Sequence, residues 1–183
     1  MTGARKLELR TLRAEDELSF KRAVEEFARE TPSWQFAFGF SEIESFSDYV
    51  KMLEGQSRGV GVPASFVPNT FFVGVVDDII VGRLSLRHRL NESLAKVGGH
   101  IGYGVMPSQR KRGYATEMLR QAIPICASLG IDRALLTCDE GNLASRKIIE
   151  VCGGTFDQTM DCPESGIPKR RYWIHTNSLP KRS

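Results

Sequence analysis

The order of apolar and polar positions along the chain switches between two periods. Leu7-Glu8-Leu9-Arg10-Thr11-Leu12 alternates residue by residue, as a strand with one buried face does. From Asp16 to Arg29 the apolar residues Leu18, Phe20, Val24, Phe27 and Ala28 recur at roughly helical spacing, and Pro32 stops the helix they predict. Trp34, Phe36, Phe38 and Phe40 then alternate with Gln35, Ala37 and Gly39. Gly39 and the position between two helices favour an aromatic loop there over a short strand. Ser41 with Glu44 three residues on reads as a capping box, opening a second helix from Glu42 to about Gln56.

The segment from Gly55 to Asn69 carries Gly, Pro and Ser and reads as a loop. Thr70 to Val76 is rich in strand formers, Asp77-Asp78 makes a turn, and Ile79 to Arg87 returns, so the pair reads as a hairpin. Asn91 to Gly99 links it to a strand over about His100 to Met106. Ala115, Met118, Leu119, Ala122, Ile123 and Cys126 form one helical stripe, which Gly130 ends. Pro124 inside it is expected to kink the helix or weaken its last turn. Ala134 to Cys138 is a buried strand, Asn142 caps a helix over Leu143 to Val151, and Gly153-Gly154 terminate it. Thr155 to Met160 and Arg170 to Thr176 complete the strands. This order predicts an α/β (α+β) fold around a mixed, mainly antiparallel sheet with about four flanking helices. It is not the repeated βαβ of a dinucleotide-binding domain.

With 183 residues, a single domain over 1–183 is expected, and 41% hydrophobic with 26% charged residues describe an ordinary globular chain. A net charge of +3 is too small to imply nucleic acid as a partner. No apolar run approaches the roughly 20 residues of a membrane span, and the N-terminus lacks the apolar core of a signal peptide. No membrane association and a cytoplasmic, reduced location are therefore expected. Cys126, Cys138, Cys152 and Cys162 show no spacing that suits a metal, so no metal is expected.

The richest segment for chemistry is Gly102-Tyr-Gly-Val-Met-Pro-Ser-Gln-Arg-Lys-Arg-Gly-Tyr-Ala115, a strand, a basic loop and the start of a helix. Such a loop aims several backbone N–H groups at one spot before a helix N-terminus, which attracts phosphate. Arg110, Lys111 and Arg112 add positive charge, and Gly113 lets the backbone approach a ligand closely.

This stretch, with Arg110-x-x-Gly113-x-Ala115 at its core, resembles the acyl-CoA loop of the GCN5-related N-acetyltransferase (GNAT) superfamily. The element order agrees from end to end. The resemblance implies the GNAT fold and acetyl-CoA as cosubstrate, held by Gly104, Val105 and Met106 of the strand, by Arg110, Lys111, Arg112, Gly113, Tyr114 and Ala115 of the loop, and by Asn142 and Ser145 of the next helix. An N–H near Val105 would then face the thioester oxygen, which gains negative charge as it is attacked. Asn142 is equally a good helix cap whatever the ligand. The family often has a tyrosine seven residues after that Asn, to protonate the departing thiolate; here the position is Ile149.

An amine near pKa 10 is mostly ammonium at pH 7, so the reaction needs a proton acceptor. His100 and His88 are the leading candidates, and Glu92, Tyr103, Asp139 and Glu140 stand behind them. Leu86-Arg-His-Arg-Leu-Asn91 with Gly98-Gly-His-Ile-Gly-Tyr103 is similar to a bacterial subgroup known mainly as predicted acetyltransferases, which brings no acceptor with it. Arg87 is either a binder of an acceptor carboxylate or a surface charge. Cys138 and Cys152 are poor acyl carriers, being strand-buried or at a helix end. The expected activity is direct transfer, in a ternary complex, from acetyl-CoA to a primary amine, with a small molecule favoured over a protein because of the aromatic segment Trp34–Phe40 and the loop Gly55–Asn69. A non-catalytic acyl-CoA-binding sensor or regulatory module is the alternative. Homodimers are common in the superfamily, and nothing in the chain decides for or against one.

Overall fold

The Asp77-Asp78 turn sets the frame. Both residues take left-handed angles, φ 49° and 61°, as a two-residue hairpin turn matched to strand twist requires. The computed structural model describes residues 6–30, 35–43 and 45–177. Its strands are β1 (Glu8–Thr11), β2 (Asn69–Val76), β3 (Ile79–Arg87), β4 (Ile101–Val105), β5 (Arg133–Asp139), β6 (Thr155–Met160) and β7 (Lys169–His175). Its helices are α1 (Glu17–Ala28), α2 (Phe46–Ser57), α3 (Glu92–Lys96), α4 (Tyr114–Ser128) and α5 (Leu143–Val151). Strands β1-β2-β3-β4 form one antiparallel sheet and β5-β7-β6 another. Among the described residues β4 and β5 share no ladder. The sheets meet at an isolated bridge between Gly99 and Leu136, and β4 and β5 part beyond it.

Strand alternation gives the first sheet two apolar faces. Phe72, Val76, Leu84 and Leu86 pack with Met118, Leu119, Ala122, Ile123 and Cys126 of α4. Phe71, Val73, Val75 and Ile80 pack with Phe20, Ala23 and Phe27 of α1 and with Phe46, Tyr49, Val50 and Leu53 of α2. Phe20 centres that second core, its ring 5.2–6.2 Å from those of Phe36, Phe40, Phe46, Tyr49 and Phe71.

Two local expectations change. The second helix begins at Phe46, not Glu42. Its cap is Ser45, whose Oγ accepts from the Asp48 N–H at 3.2 Å and donates to the Asp48 carboxylate at 2.6 Å. Glu44, Pro32 and Trp34 lie outside the described residues. The Asn91–Gly99 linker contains α3, started by the Asn91 side chain accepting from Leu94 N at 2.9 Å and braced by Lys96 to Glu92 at 2.7 Å. Helix α4 continues through Pro124 to Ser128. Proline removes the donor for the Arg120 carbonyl, and Arg120 and Pro124 both lie on the exposed face of the helix.

The join between β1 and α1 carries a pH dependence. Asp16 is only 5% exposed, takes two bonds from the Arg10 guanidinium at 2.7 and 2.8 Å, and accepts from Arg13 N at 2.8 Å. Burial raises its pKa, but the Arg10 and Arg13 hydrogen bonds outweigh burial and leave it below the usual carboxylate range. A lowered carboxylate pKa contributes stability that is full above the unfolded value, about 4, and drains as pH falls through the folded value. Asp16→Asn is expected to cost about 2 kcal/mol at pH 7 and to flatten the acid limb of unfolding midpoint against pH. An unchanged acid limb would remove Asp16 from that role.

Candidate functional site

The basic loop is a run of unusual backbone angles. A short turn over Pro107–Gln109 hands on to extended Arg110, then Lys111 at φ 63°, then Gly113 at φ 80°. Helix α4 follows directly, and its first intrahelical bond runs from Glu117 N to Gly113 O at 3.1 Å. The N–H groups of Tyr114, Ala115 and Thr116 precede that bond and have no intrahelical acceptor, the arrangement that draws anions. Two carboxylates, Glu26 of α1 and Glu30 just beyond its end, hold the loop from behind. Glu26 accepts from Ser108 N at 2.6 Å and from Ser108 Oγ at 3.0 Å. Glu30 takes both ends of the Arg110 guanidinium at 2.6 and 2.7 Å, while Arg110 Nε reaches the Val105 carbonyl at 3.2 Å.

In front of the loop lies a cleft of about 930 Å3. Gly104, Val105, Arg110 and Lys111 line it, as do Gly113, Tyr114 and Ala115. Asn142 and Ser145 close the far side from α5. Met106 and Arg112 are not among the lining residues. Met106 is 6% exposed within the α1/α2 core, its N–H bonded to Val81 O at 2.9 Å, and Arg112 is exposed. Lys147, which adds a second cation beside Lys111, and Phe27 of α1 with Glu30 just after it, which form another wall, carry no local signal of such a role in the sequence.

Hydrogen-bond parity tells which β4 groups face the cleft. Met106 N bonds Val81 O, and Arg87 N bonds His100 O, in a register that runs without a slip from Leu86–Ile101 to Gly82–Val105. Alternate residues of an antiparallel strand bond the same neighbour, so Gly102 and Gly104 spend their N–H groups on β3. Tyr103 and Val105 turn theirs the other way, into the gap that β5 leaves open. The donor expected near Val105 is therefore one of a pair, two residues apart.

The Asn142 side chain caps α5, accepting from Ser145 N at 3.0 Å. Ser145 Oγ lies 2.9 Å from the Tyr103 hydroxyl, which bridges β4 to α5 across the cleft. Burial pushes the Tyr103 pKa up, so it is a neutral O–H donor. Ile149 is fully buried.

The candidate proton acceptors are scattered. His100 is 8% exposed and sits in the joint between the sheets: its N–H donates to Leu135 O at 2.7 Å, and its Nδ1 accepts from Leu135 N at 2.9 Å. That acceptance fixes a neutral ring with its proton on Nε2, and burial, then the nearby Arg87 charge, lowers its pKa. His88 Nε2 lies 2.9 Å from Thr70 Oγ1, on the opposite side of β3 from Arg87 by strand alternation. Neither lines the cleft. Glu92 binds Lys96, Asp139 binds Lys169, and Glu140 follows β5 on the surface side.

A second cavity of about 740 Å3 opens on the α1/α2 face of the sheet. Phe38, Tyr49, Phe66 and Phe71 supply its apolar walls, Ser85 and Arg87 of β3 its polar floor, and the loop before β2 its rim. Gly102 and Gly104 face this side of β4 with no side chain, while Tyr103 faces the other. Ser85 pairs with Gly102 across the β3–β4 ladder, so the second cavity lies on the strand next to β4, while Tyr103, Gly104 and Val105 of β4 itself line the first cleft.

Among the described residues no helix is long and apolar enough to cross a membrane, and no group of three His, Cys, Asp or Glu side chains suits a metal ion. No curated protein sequence matches the chain. Several solved structures share its fold. Mycobacterium smegmatis RimJ, described in complex with CoA-disulfide, superposes with TM-score 0.71 at 19% identity over 96% of this chain and 84% of that one. RimL, a ribosomal L7/L12 alpha-N-protein acetyltransferase described with coenzyme A, gives TM-score 0.66 at 18% identity over 94% and 95%. Salmonella typhimurium yncA, described with its cofactor acetyl-CoA, gives 0.63 at 12% over 97% and 98%. A model of the acetyltransferase (GNAT) domain family matches residues 6–155, and the loop, the parted strands and that match agree: the chain belongs to the GNAT acetyltransferase family.

Proposed function

We propose that this acetyltransferase passes the acetyl group of acetyl-CoA directly to a primary amine of a small molecule while both substrates are bound. The observation that carries the reading is the cleft that runs along Tyr103, Gly104 and Val105 of β4 to the start of α4, with a second cavity beside it on Ser85 and Arg87 of the neighbouring strand β3. Acetyl-CoA supplies the acyl group as a thioester: the amine nitrogen bonds the carbonyl carbon, the carbon–sulfur bond breaks with its electron pair going to sulfur, the amine loses one proton and the thiolate gains one. The N–H groups ahead of α4, with Lys111 and Lys147, suit the pyrophosphate. The inward N–H groups of Tyr103 and Val105, which no strand partners, suit the carbonyl oxygen as it gains charge, a role typically worth about 3–4 kcal/mol.

The Tyr103–Ser145 hydroxyl pair takes the place of the tyrosine that Ile149 lacks and gives the leaving sulfur its proton. Tyr103→Phe is expected to lower kcat by about 100-fold and to leave acetyl-CoA affinity within a few-fold; full activity in that variant would remove the assignment. His100 serves as a positioning residue, because its Nδ1 lone pair is held by Leu135 N. The amine then reacts from its own neutral form, so kcat/KM should rise tenfold per pH unit up to the pKa of each acceptor tried. A break fixed near pH 6.5 for every acceptor would assign a histidine base instead.

The first test is a thermal shift with acetyl-CoA, CoA and ATP, followed by acetylation of small amines and of peptides with free N-termini. A ligand at 100 times its Kd adds ~2.7 kcal/mol, or roughly 5–11 °C for a chain of this size. A shift with both CoA species and turnover of small amines is expected. No shift with either would end the reading, and turnover of peptides alone would move the acceptor to the protein class that RimL's description names.

A further inference from the structure

The second cavity holds two polar groups that the transfer step does not use. Arg87 is partly buried on its floor, with Nη1 donating to the carbonyls of Gly98 at 3.3 Å and Gly99 at 3.1 Å. Among the described residues its partners are these carbonyls and no carboxylate. Burial lowers its pKa, so a negative partner there is worth more than one at the surface. The guanidinium lies over Gly102: a Cβ at that residue would stand 3.8 Å from Nη1 and 3.9 Å from Nη2. Gly102 immediately precedes Tyr103, whose N–H faces the thioester side. Tyr49 lines the same cavity, is fully buried, and among the described residues its hydroxyl has no hydrogen-bond partner. A planar cation stands on the floor of a cavity walled by Phe38, Phe66 and Phe71, and the hydroxyl of a further wall residue, Tyr49, is idle.

We propose that Arg87 binds a carboxylate of the acceptor, with the Tyr49 hydroxyl as a further donor, so that the acceptor is a small amino acid or amino-acid-like molecule with an apolar body. The proposal rests on the acetyltransferase reading above and names its substrate class. Arginine suits the task because its fork gives a carboxylate two parallel bonds and stays charged when half-buried. The nearness of Gly102 to Tyr103 sets the spacing: an anion on Arg87 holds a nearby amine within a residue's length of the thioester. The cavity's size is in the range that encloses small ligands. Among the described residues it offers no aspartate or glutamate to an acceptor with several ammonium groups.

The test is a matched series on the wild-type enzyme. Leucine, methionine and phenylalanine are each compared with their amide and with their decarboxylated amine, by release of the CoA thiol. The acids should exceed both partners in kcat/KM by at least about 100-fold, a floor well under the roughly 10,000-fold by which a site built to bond a polar group can reject a substrate lacking it. Arg87→Met should erase that preference chiefly through KM, while the thermal shift with acetyl-CoA persists. Arg87→Lys should restore part of it. Equal or better turnover of the amides or amines, no turnover of any acid, or a preference that survives in Arg87→Met, each overturns the proposal. If the Met variant does not fold, the wild-type series and Arg87→Lys decide it. Failure of the wild type to shift with acetyl-CoA is a separate result, and ends the acetyltransferase reading instead.

Discussion

Gly113→Asp should abolish acetyl-CoA binding in a protein that still folds. Gly113 sits at φ 80° where the loop becomes α4, and a Cβ built there meets nothing within 4 Å. The substitution therefore causes no clash in the fold. Its backbone cost is small, because Asp is among the few residues that visit the left-handed region, and strain there is about 1–2 kcal/mol. The new carboxylate, however, lies beside the orphan N–H groups of Tyr114, Ala115 and Thr116. A like charge 5 Å away costs about 3 kcal/mol at an effective dielectric of 20, which is on the order of 200-fold in affinity for each phosphate charge it meets. Gly113→Asn adds nearly the same atoms without the charge, so the difference between the two variants isolates electrostatics from bulk. That difference should shrink as salt is raised. Calorimetric titration with CoA reads both. A folded Gly113→Asp protein that binds CoA normally would show that the phosphates lie elsewhere.

The shape of the basic loop could be read from sequence because everything that sets it is local. Pro107, the basic run, Gly113 and the stripe of α4 stand within one stretch of chain, and of these Arg110, Lys111 and Gly113 line the cleft while the stripe anchors α4 in the core. Helix α5 is legible for the same reason, since Asn142 starts it and Gly153 follows it. The start of α2 is not decided locally. Ser41 and Ser45 each have an acidic residue three positions on, and the choice between them falls to packing, which buries Phe46, Tyr49, Val50 and Leu53 on one face. Helix α3 has five residues, too few for a period to be visible.

Within the site, what sequence could not reach is partnership across long separations. Glu26 and Glu30 look like ordinary solvated residues at the end of α1 and just beyond it, yet they hold Ser108 and Arg110 from 82 and 80 positions away. That changes Arg110 from a presumed phosphate ligand into a residue whose guanidinium is already engaged at both ends. His100 is the sharper case. Its chemistry at neutral pH made it a natural base, but Leu135, 35 residues on, claims its Nδ1. Arg87 went the other way: one sequence left it undecided between an exposed strand charge and an acceptor ligand, and the second cavity gives it a place to work.

The joint that claims His100 should also be the point where one methyl group does most damage. Gly99 has φ 64°, and a Cβ there would overlap the backbone carbonyl of Leu135. That carbonyl cannot retreat freely, because it accepts from His100 N at 2.7 Å while Leu135 N donates to His100 Nδ1 at 2.9 Å. Gly99→Ala must therefore pull the bridge apart. It forfeits two hydrogen bonds worth about 1 kcal/mol each, adds about 1–2 kcal/mol of left-handed strain, and leaves a buried imidazole nitrogen unbonded at about 1 kcal/mol or more. The sum, about 4 kcal/mol, is a large part of the 5–15 kcal/mol that holds a typical domain together, and should lower Tm by roughly 8–16 °C. Gly130→Ala is the control. Gly130 has a similar φ of 75° but nothing within 4 Å of its Cβ, so it carries the backbone strain without the overlap and should cost only about 1–2 kcal/mol. Equal losses in the two variants would mean that the sheets are not locked at Gly99. The expected excess in Gly99→Ala would mean that the parting of β4 from β5, which opens the cleft before α4, is held at one end by a bridge too close for any side chain.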